Sequence, residues 1–437
     1  MTAGLAERWA AFWDAPEAEP ARLGLTRLLF FGALALDTGQ QLVHAGRYGA
    51  GRFNVSHLPP GLDALLPAPT APGLLLLTLT ASMLCLRLAL GARATIALPA
   101  LAACLSATVL WSQLDSYQHH YLMVLVTVAL SGAALLTPEA RRDGEIAPWG
   151  FKLLRAQIAV MYAWAAVAKL DERWISGVTL NAQLNVEWAR ALISRLSDTL
   201  GVAPLSVVAA GAVAVLVVEA LFALAWLTPR LWPLLWPLGV AFHLSVEALD
   251  LKIGQFSLLM ITLYTLVMPA ALARGLGRLA PPVEPTTGPW AWRLGAAAVV
   301  GALGLALPFS TDLLLVGLWV VLTLLITGPS PTAAARAVLS AALVVGLSHS
   351  GELARDYYRF IGGDARVRGE LPAAVAAYTE VVRLDPDYFS GRVRLCQLLT
   401  AVDRAQDALP HCEEALRLMP GQPDALAAEA AARAALR

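Results

Sequence analysis

The sequence predicts an all-α membrane protein: a polytopic helical transmembrane bundle of about 9–11 spans, followed by a short helical-repeat domain at the C-terminal end. Three observations predict it. Of 437 residues 58% are hydrophobic and only 15% charged, with a mean hydropathy of +0.62, whereas soluble domains carry about 25% charged residues. Apolar runs long enough to cross a bilayer recur up to residue 350. Beyond His349 the chain turns charged and Ala-rich, with an internal period. A water-soluble single-core enzyme is excluded. Thirty-two basic residues balance 32 acidic ones, so no basic field points to nucleic acid.

The first 20 residues mix polar and apolar types, without a short apolar core and small-residue cleavage site. No cleaved signal peptide is expected, and the first span directs insertion. Spans are expected at 22–44, 70–90, 94–112, 118–137, 151–170, 204–228, 231–249, 254–273, 289–308, 311–328 and 331–348. Pro and Gly interrupt the seventh and the last three. With the N-terminus inside, inner segments hold Arg87, Arg93, Arg141, Arg142, Lys152, Arg155, Arg230, Arg274 and Arg278, among others. Outer segments hold fewer, namely Arg47, Arg52, Arg173, Arg190, Arg195 and Lys252. The excess of inner charge favours a cytoplasmic N-terminus. An odd number of spans then places the C-terminal repeats on the outer, periplasmic side. The bias toward Ala, Leu and Arg suggests a GC-rich bacterial genome, and hence an inner membrane.

In the tail, Ala374, Tyr378, Val381, Leu384 and Pro386 are echoed 34 residues later by Ala408, Cys412, Ala415, Leu418 and Pro420. Tyr358, Ile361 and Gly362 precede the same frame. Small and large residues alternate on paired helices, and Pro closes the second, which is the tetratricopeptide pattern. About two units and a final helix fit, a short stack that needs support from its neighbour. A peptide or protein partner is possible there, though nothing names one. The four cysteines, Cys85, Cys104, Cys396 and Cys412, contain no C-x-x-C pair, which argues against a disulfide framework. Cys396 and Cys412 are expected as core filler of the stack rather than as a regulatory pair.

Ionisable residues in lipid are costly unless paired or wet, so each is a functional candidate. Asp115 to Tyr121 open the fourth span with His119, His120 and Tyr121, an arrangement that an interfacial belt would also explain. Lys169 ends the fifth span, where snorkelling is the plain alternative. Asp171 and Trp174 follow, and Trp174 begins an amphipathic stretch to Leu200 that could lie over a site. An amine desolvated by an apolar cavity can act as a base, which an arginine cannot. His243 and Glu247 share a helical face, but no further His or Glu is in phase, so no metal is expected. With the N-terminus inside, His119, Lys169 and His243 all fall in the outer half of the membrane. That convergence favours a site over snorkelling.

The stretch 153–177, carrying Arg155, Gln157, Tyr162, Lys169, Leu170, Asp171, Trp174 and Gly177, resembles the membrane domain of the vitamin K-dependent gamma-glutamyl carboxylase family. The sequence HHYL at 119–122, FH at 242–243, IGQFS at 253–257 and the aromatic-rich helix from Leu25 to Asp37 agree with it. Bacterial relatives share this module as the HTTM domain, and the resemblance covers roughly residues 20–275. It implies that Lys169 deprotonates reduced vitamin K or menaquinol. Oxygen then adds to the ring, and the adduct collapses through a strong base to an epoxide. That base takes the gamma proton of a peptide glutamate, and the carbanion captures CO2. The resemblance makes Lys169 and His119 catalytic. It places His119, His120, Tyr121, Tyr162 and His243 about the quinone.

The chain departs from that family in two ways. Nothing after residue 275 resembles the large β-rich luminal region that recognises substrate, and Ala168 precedes Lys169 where the animal enzyme has two adjacent lysines. Three divisions are therefore expected: a carboxylase-like membrane domain (1–275), additional transmembrane helices (276–350) and tetratricopeptide-like repeats (351–437). The leading expectation is an enzyme that oxidises a reduced naphthoquinone with O2, coupled or not to glutamate carboxylation. The alternative is a non-catalytic protein that binds quinone or lipid and docks partners on its repeats. A transporter is weaker, since the hydropathy shows no inverted repeat.

Overall fold

The computed structural model describes residues 19–49, 71–111, 118–143, 145–184, 186–251, 253, 255–283 and 351–437, with Gly4, Glu7, Trp13 and Gly61 singly. The spans expected at 289–308, 311–328 and 331–348 lie outside these residues. Among the described residues helix dominates and no strand occurs. The chain divides into two compact units, one of Met1–Asp37, Ser82–Ala102 and Tyr117–Gly288, the other of Thr38–Ala81, Ala103–Ser116 and Pro289–Arg437.

The apolar runs become α1 (Pro20–Gln40), α2 (Ala71–Ala89), α3 (Ala94–Trp111), α4 (Gln118–Leu136) and α5 (Pro148–Ala168). After two short helices come α6 (Glu187–Leu200), α7 (Pro204–Leu227), α8 (Trp232–Ala248) and α9 (Phe256–Leu263). Three of these, α4, α5 and α7, are long and apolar enough to cross a membrane. Pro at the first helical position of α5 and α7 costs no hydrogen bond. On α7, Val213, Val217, Leu221 and Leu224 stand exposed, the surface that hydrocarbon would cover.

Two expected spans differ from straight crossings. Residues 254–273 do not form one helix: Phe256–Val267 and Ala270–Leu279 reach the length of an apolar crossing only together, and a bend of 113° separates them. Pro269 sits at the break in an extended conformation, and it can neither donate to the preceding turn nor leave Met268 helical. The seventh run yields a 17-residue helix with Pro237 inside it, short of a full crossing.

In the first unit α5 packs between α4 and α7. Thr26 and Thr265 share a buried hydroxyl contact of 2.7 Å that ties α1 to the turn after α9. In the second unit the tail folds as α10 (Gly351–Val367), α11 (Leu371–Leu384), α12 (Phe389–Ala401), α13 (Ala405–Leu418) and α14 (Pro423–Ala435). The starts and the ends of α11 and α13 are both 34 residues apart, from 371 to 405 and from 384 to 418, the period read from the sequence. Gly362 lets the Tyr378 ring close on α10, where a Cβ would stand 2.9 Å from it. The outer face of α10 docks on the short helix Ala45–Tyr48, with Leu353 buried among Ala45, Leu74 and Leu75.

Cys396 and Cys412 are both fully buried in the tail core and are joined in a disulfide, their Cα atoms 5.5 Å apart. They fill the core of the tail as expected, and the bond between them corrects the expectation that no disulfide forms. Antiparallel helices bring residues 16 apart face to face, so a C-x-x-C spacing is not needed.

Candidate active site

The first polar centre is built where α5 ends. Ala168 is the last helical residue, and Lys169 caps the helix. Asp171 then starts a new short helix by accepting from the amides of Arg173 and Trp174. Gly177 closes that turn at φ +78, with the backbone of Ala209 so near that a Cβ would stand 2.6 Å from its nitrogen. Only glycine fits there, on both counts.

The turn aims Lys169 back at α7. Its Nζ donates to Oε1 of Glu219 at 3.0 Å and to the carbonyl of Ala165 at 3.3 Å, and lies 2.7 Å from Glu219 Oε2. It also stands 5.0 Å from the centre of the Trp174 ring, while the Trp174 indole donates to the Ala212 carbonyl. Lys169 is thus held by a carboxylate, an aromatic face and a carbonyl at the helix end. The amphipathic stretch after Trp174 breaks into three helices, and Leu180 and Leu184 pack with Val208 and Ala212 beside Trp174.

Two turns earlier on the same face of α5, the Tyr162 hydroxyl meets His243 Nε2 at 2.7 Å and the Tyr264 hydroxyl at 2.8 Å. A single hydroxyl proton cannot serve both contacts, so Tyr162 donates to one neighbour and accepts from the other. Phe222, Phe242 and Phe256 ring this trio, with Phe242 and Phe256 5.3 and 5.7 Å from His243. Gly239 makes room for the Tyr264 ring against α8. Among the buried polar atoms without a hydrogen-bond partner in the described residues are His243 Nδ1 and Ser257 Oγ. Glu247, by contrast, is exposed, so it shares no site with His243.

His119 and His120 open α4 and face Asp37 near the end of α1. His119 Nε2 lies 3.3 Å from Asp37 Oδ1, and His120 Nε2 3.8 Å from Oδ2. Tyr121 is largely exposed. Of the expected site residues, then, the structure joins Tyr162 to His243. It joins Lys169 to Glu219, and His119 to Asp37. Glu219 and Tyr264 were not foreseen. The first could have been, as the lone charge in the apolar run of residues 204–228.

A helical membrane bundle with an internal lysine–glutamate pair beside a buried tyrosine–histidine chain defines a class, that of membrane proteins with a polar site set among their spans. The particular family follows from comparison: the HTTM domain model matches residues 16–271, more than half of the chain. The protein belongs to the HTTM domain family, a membrane domain found in vitamin K-dependent carboxylase-like proteins. No curated protein and no solved structure matches it.

Proposed function

We propose that this protein is a membrane enzyme that oxidises a reduced naphthoquinone with O2, with Lys169 as the base. The observation that carries the reading is the Lys169–Glu219 contact at 2.7 Å, made between the end of α5 and the interior of α7 with both side chains largely withdrawn from solvent. A quinol is a flat apolar ring with a hydroxyl at each end, so its site needs aromatic walls and a few hydrogen-bonding groups. Phe222, Phe242, Phe256 and Tyr264 supply walls, and the unpartnered His243 Nδ1 and Ser257 Oγ supply polar contacts. The residues present fit the group.

When bound, the quinol and O2 supply an oxidation strong enough to generate a base that no side chain can match. The chain's own residues have narrower tasks. Lys169 passes its own proton to Glu219 and, as the neutral amine, takes the proton of a quinol hydroxyl; the pair then carries one positive charge, which faces the negative charge of the quinolate. Tyr162 and Tyr264 hold the His243 ring so that Nδ1 faces the ligand. The surrounding leucines and phenylalanines keep water from the reacting centre. The tail is read as a tetratricopeptide-like stack that docks a peptide or protein, and a glutamyl side chain presented there is the substrate class to which the oxidation would be coupled. Its support is the 34-residue period shared by sequence and helices. An inner membrane, with the N-terminus cytoplasmic and the tail periplasmic, completes the proposal.

The test is to give purified protein reduced menaquinone or vitamin K and O2, and to follow quinone epoxide. Wild type is expected to form it and Lys169→Ala not to. Epoxide from neither removes the enzyme reading in favour of a non-catalytic scaffold. Epoxide from both removes Lys169 as the base.

A further inference from the structure

We propose that Asp37, His119 and His120 form a binding site for a divalent first-row transition-metal ion. The site goes beyond the quinol reading and does not rest on it.

The three residues come from two helices that the sequence separates by 82 positions, which is why spacing alone could not find the set. Asp37 lies near the end of α1. His119 and His120 are neighbours in the first turn of α4, so their side chains diverge by about 100° around the axis. Even so, their ring centres are 4.2 Å apart, because both rings turn toward the one carboxylate. Each takes a different oxygen: His119 Nε2 is 3.3 Å from Oδ1, and His120 Nε2 is 3.8 Å from Oδ2. A ligand atom from each of the three lies within 4.8 Å of the other two.

These separations are long for the hydrogen bonds of a carboxylate, which run about 2.7–2.9 Å when charge-assisted. They suit a shared cation better. An ion about 2.1 Å from each donor holds neighbouring donors roughly 3.0 Å apart in octahedral and about 3.4 Å apart in tetrahedral geometry. The His119–Asp37 pair at 3.3 Å already has such a separation, and His120, 3.8 Å from the carboxylate, must draw closer to join the ion. Charge argues the same way. One proton on one imidazole can neutralise a buried carboxylate, but it makes a single contact with it. A divalent cation engages both rings and the carboxylate together. Asp37 and His119 are buried while His120 is half-buried, so His120 lies on the route of entry.

The donor set names the class of ion. Two imidazole nitrogens and one carboxylate oxygen suit iron(II), manganese, cobalt or zinc. They suit neither calcium and magnesium, which take oxygen ligands, nor copper(I), which takes sulfur. Three protein ligands also leave coordination positions open for an exogenous group.

The full-length protein, purified in detergent and stripped with chelator, is titrated with cobalt(II). The visible d–d absorption and the bound metal per chain are read together. Wild type is expected to take up about one equivalent, and Asp37→Asn and His119→Gln to weaken it at least about tenfold. Asp37→Glu retains the carboxylate and is expected to keep binding, which separates loss of a ligand from loss of the fold. Lys169→Ala is expected to bind as wild type does. The proposal is overturned if stripped wild type takes up no cobalt. It is equally overturned if Asp37→Asn and His119→Gln bind as tightly as wild type, since the metal then sits elsewhere. Neither readout involves quinol, so a failed epoxidation assay leaves the metal site standing, and the reverse.

Discussion

Lys169 on the cap of α5 and Glu219 on α7 form an ion pair at 2.7 Å, with both side chains largely withdrawn from solvent. Removing one partner strands the other charge among apolar side chains. Breaking such a pair costs about 3–5 kcal/mol, whereas replacing both partners by apolar residues is often neutral. Glu219→Gln and Lys169→Ala are therefore expected to lower the thermal midpoint in detergent, and Lys169→Met combined with Glu219→Leu to restore much of it. Activity should follow a different pattern, with the double variant inactive despite its stability. A double variant as unstable as the sum of the singles would count against a coupled pair.

Tyr162 is the hub between His243 and Tyr264. Tyr162→Phe keeps the ring against Phe222 and removes only the hydroxyl, leaving two buried groups each short of a partner. A cost of about 1–3 kcal/mol is expected. If the hydroxyl orients His243 toward a quinol, the apparent KM for menaquinol rises as well. A loss of stability with an unchanged KM would confine Tyr162 to a structural role.

The fold class and the spans of α4, α5 and α7 were legible because an uninterrupted apolar run of about 20 residues has few other uses. Lys169 and His243 drew notice because polar atoms in such runs are expensive, and Tyr162 only through the resemblance. Glu219 obeyed the same rule, yet stood alone between Val218 and Ala220 with no companion to draw notice. Its partner is 50 residues away, a distance fixed only by how α5 and α7 pack. Asp37 drew notice as part of a resemblance, and its pairing with His119 depends on tertiary contact. The bend at Pro269 and the disulfide show opposite cases. Pro269 stands in plain view in a run that nevertheless reads as one span over 254–273, whereas the pairing of Cys396 and Cys412 needed the turn between α12 and α13.

That disulfide closes a loop of 16 residues, and such a cross-link is worth about 3 kcal/mol. Cys412→Ala, or reduction, is expected to lower the melting of the tail by several degrees. Protein taken from the membrane without reductant should leave Cys396 and Cys412 unreactive to maleimide until it is reduced. Both cysteines labelling at once under denaturing, non-reducing conditions would mean that the tail resides in a reducing compartment. The outer placement of the repeats would then be wrong.

His411 on α13 accepts a hydrogen bond from the Arg392 guanidinium at 3.0 Å through Nδ1, which requires the neutral ring. Burial first, and then the Arg392 charge, hold its pKa below the usual histidine value of 6.5. The unfolded chain takes up the proton at a higher pH than the folded tail does. Stability is therefore complete above about 6.5 and declines as pH falls toward the folded value. Thermal melts of wild type between pH 7.5 and pH 5 should show this decline, and His411→Gln should flatten it. An equal decline in His411→Gln would assign the acid sensitivity to other groups.

Along α6, Trp188, Leu192, Leu196 and Leu200 repeat every fourth residue, and all four are exposed. Glu187, Arg190, Ser194 and Asp198 occupy the opposite arc. An exposed apolar stripe on a charged helix, immediately before the spanning helix α7, is the pattern of a helix lying in the membrane interface. Burial of those four side chains by headgroups and acyl chains would fix the segment that carries Trp174 and so the wall around Lys169. The protein has 13 tryptophans, so a site-specific probe is needed. A fluorophore at a Leu196→Cys position, in a background without Cys85 and Cys104, is expected to be quenched by lipids brominated near the headgroup. The same probe at Asp198→Cys is expected to be much less affected. Equal quenching at both positions would mean that the helix does not lie flat. Leu192→Glu with Leu196→Glu should then weaken the Lys169-dependent activity without unfolding α5, because only the cover over the site is lifted.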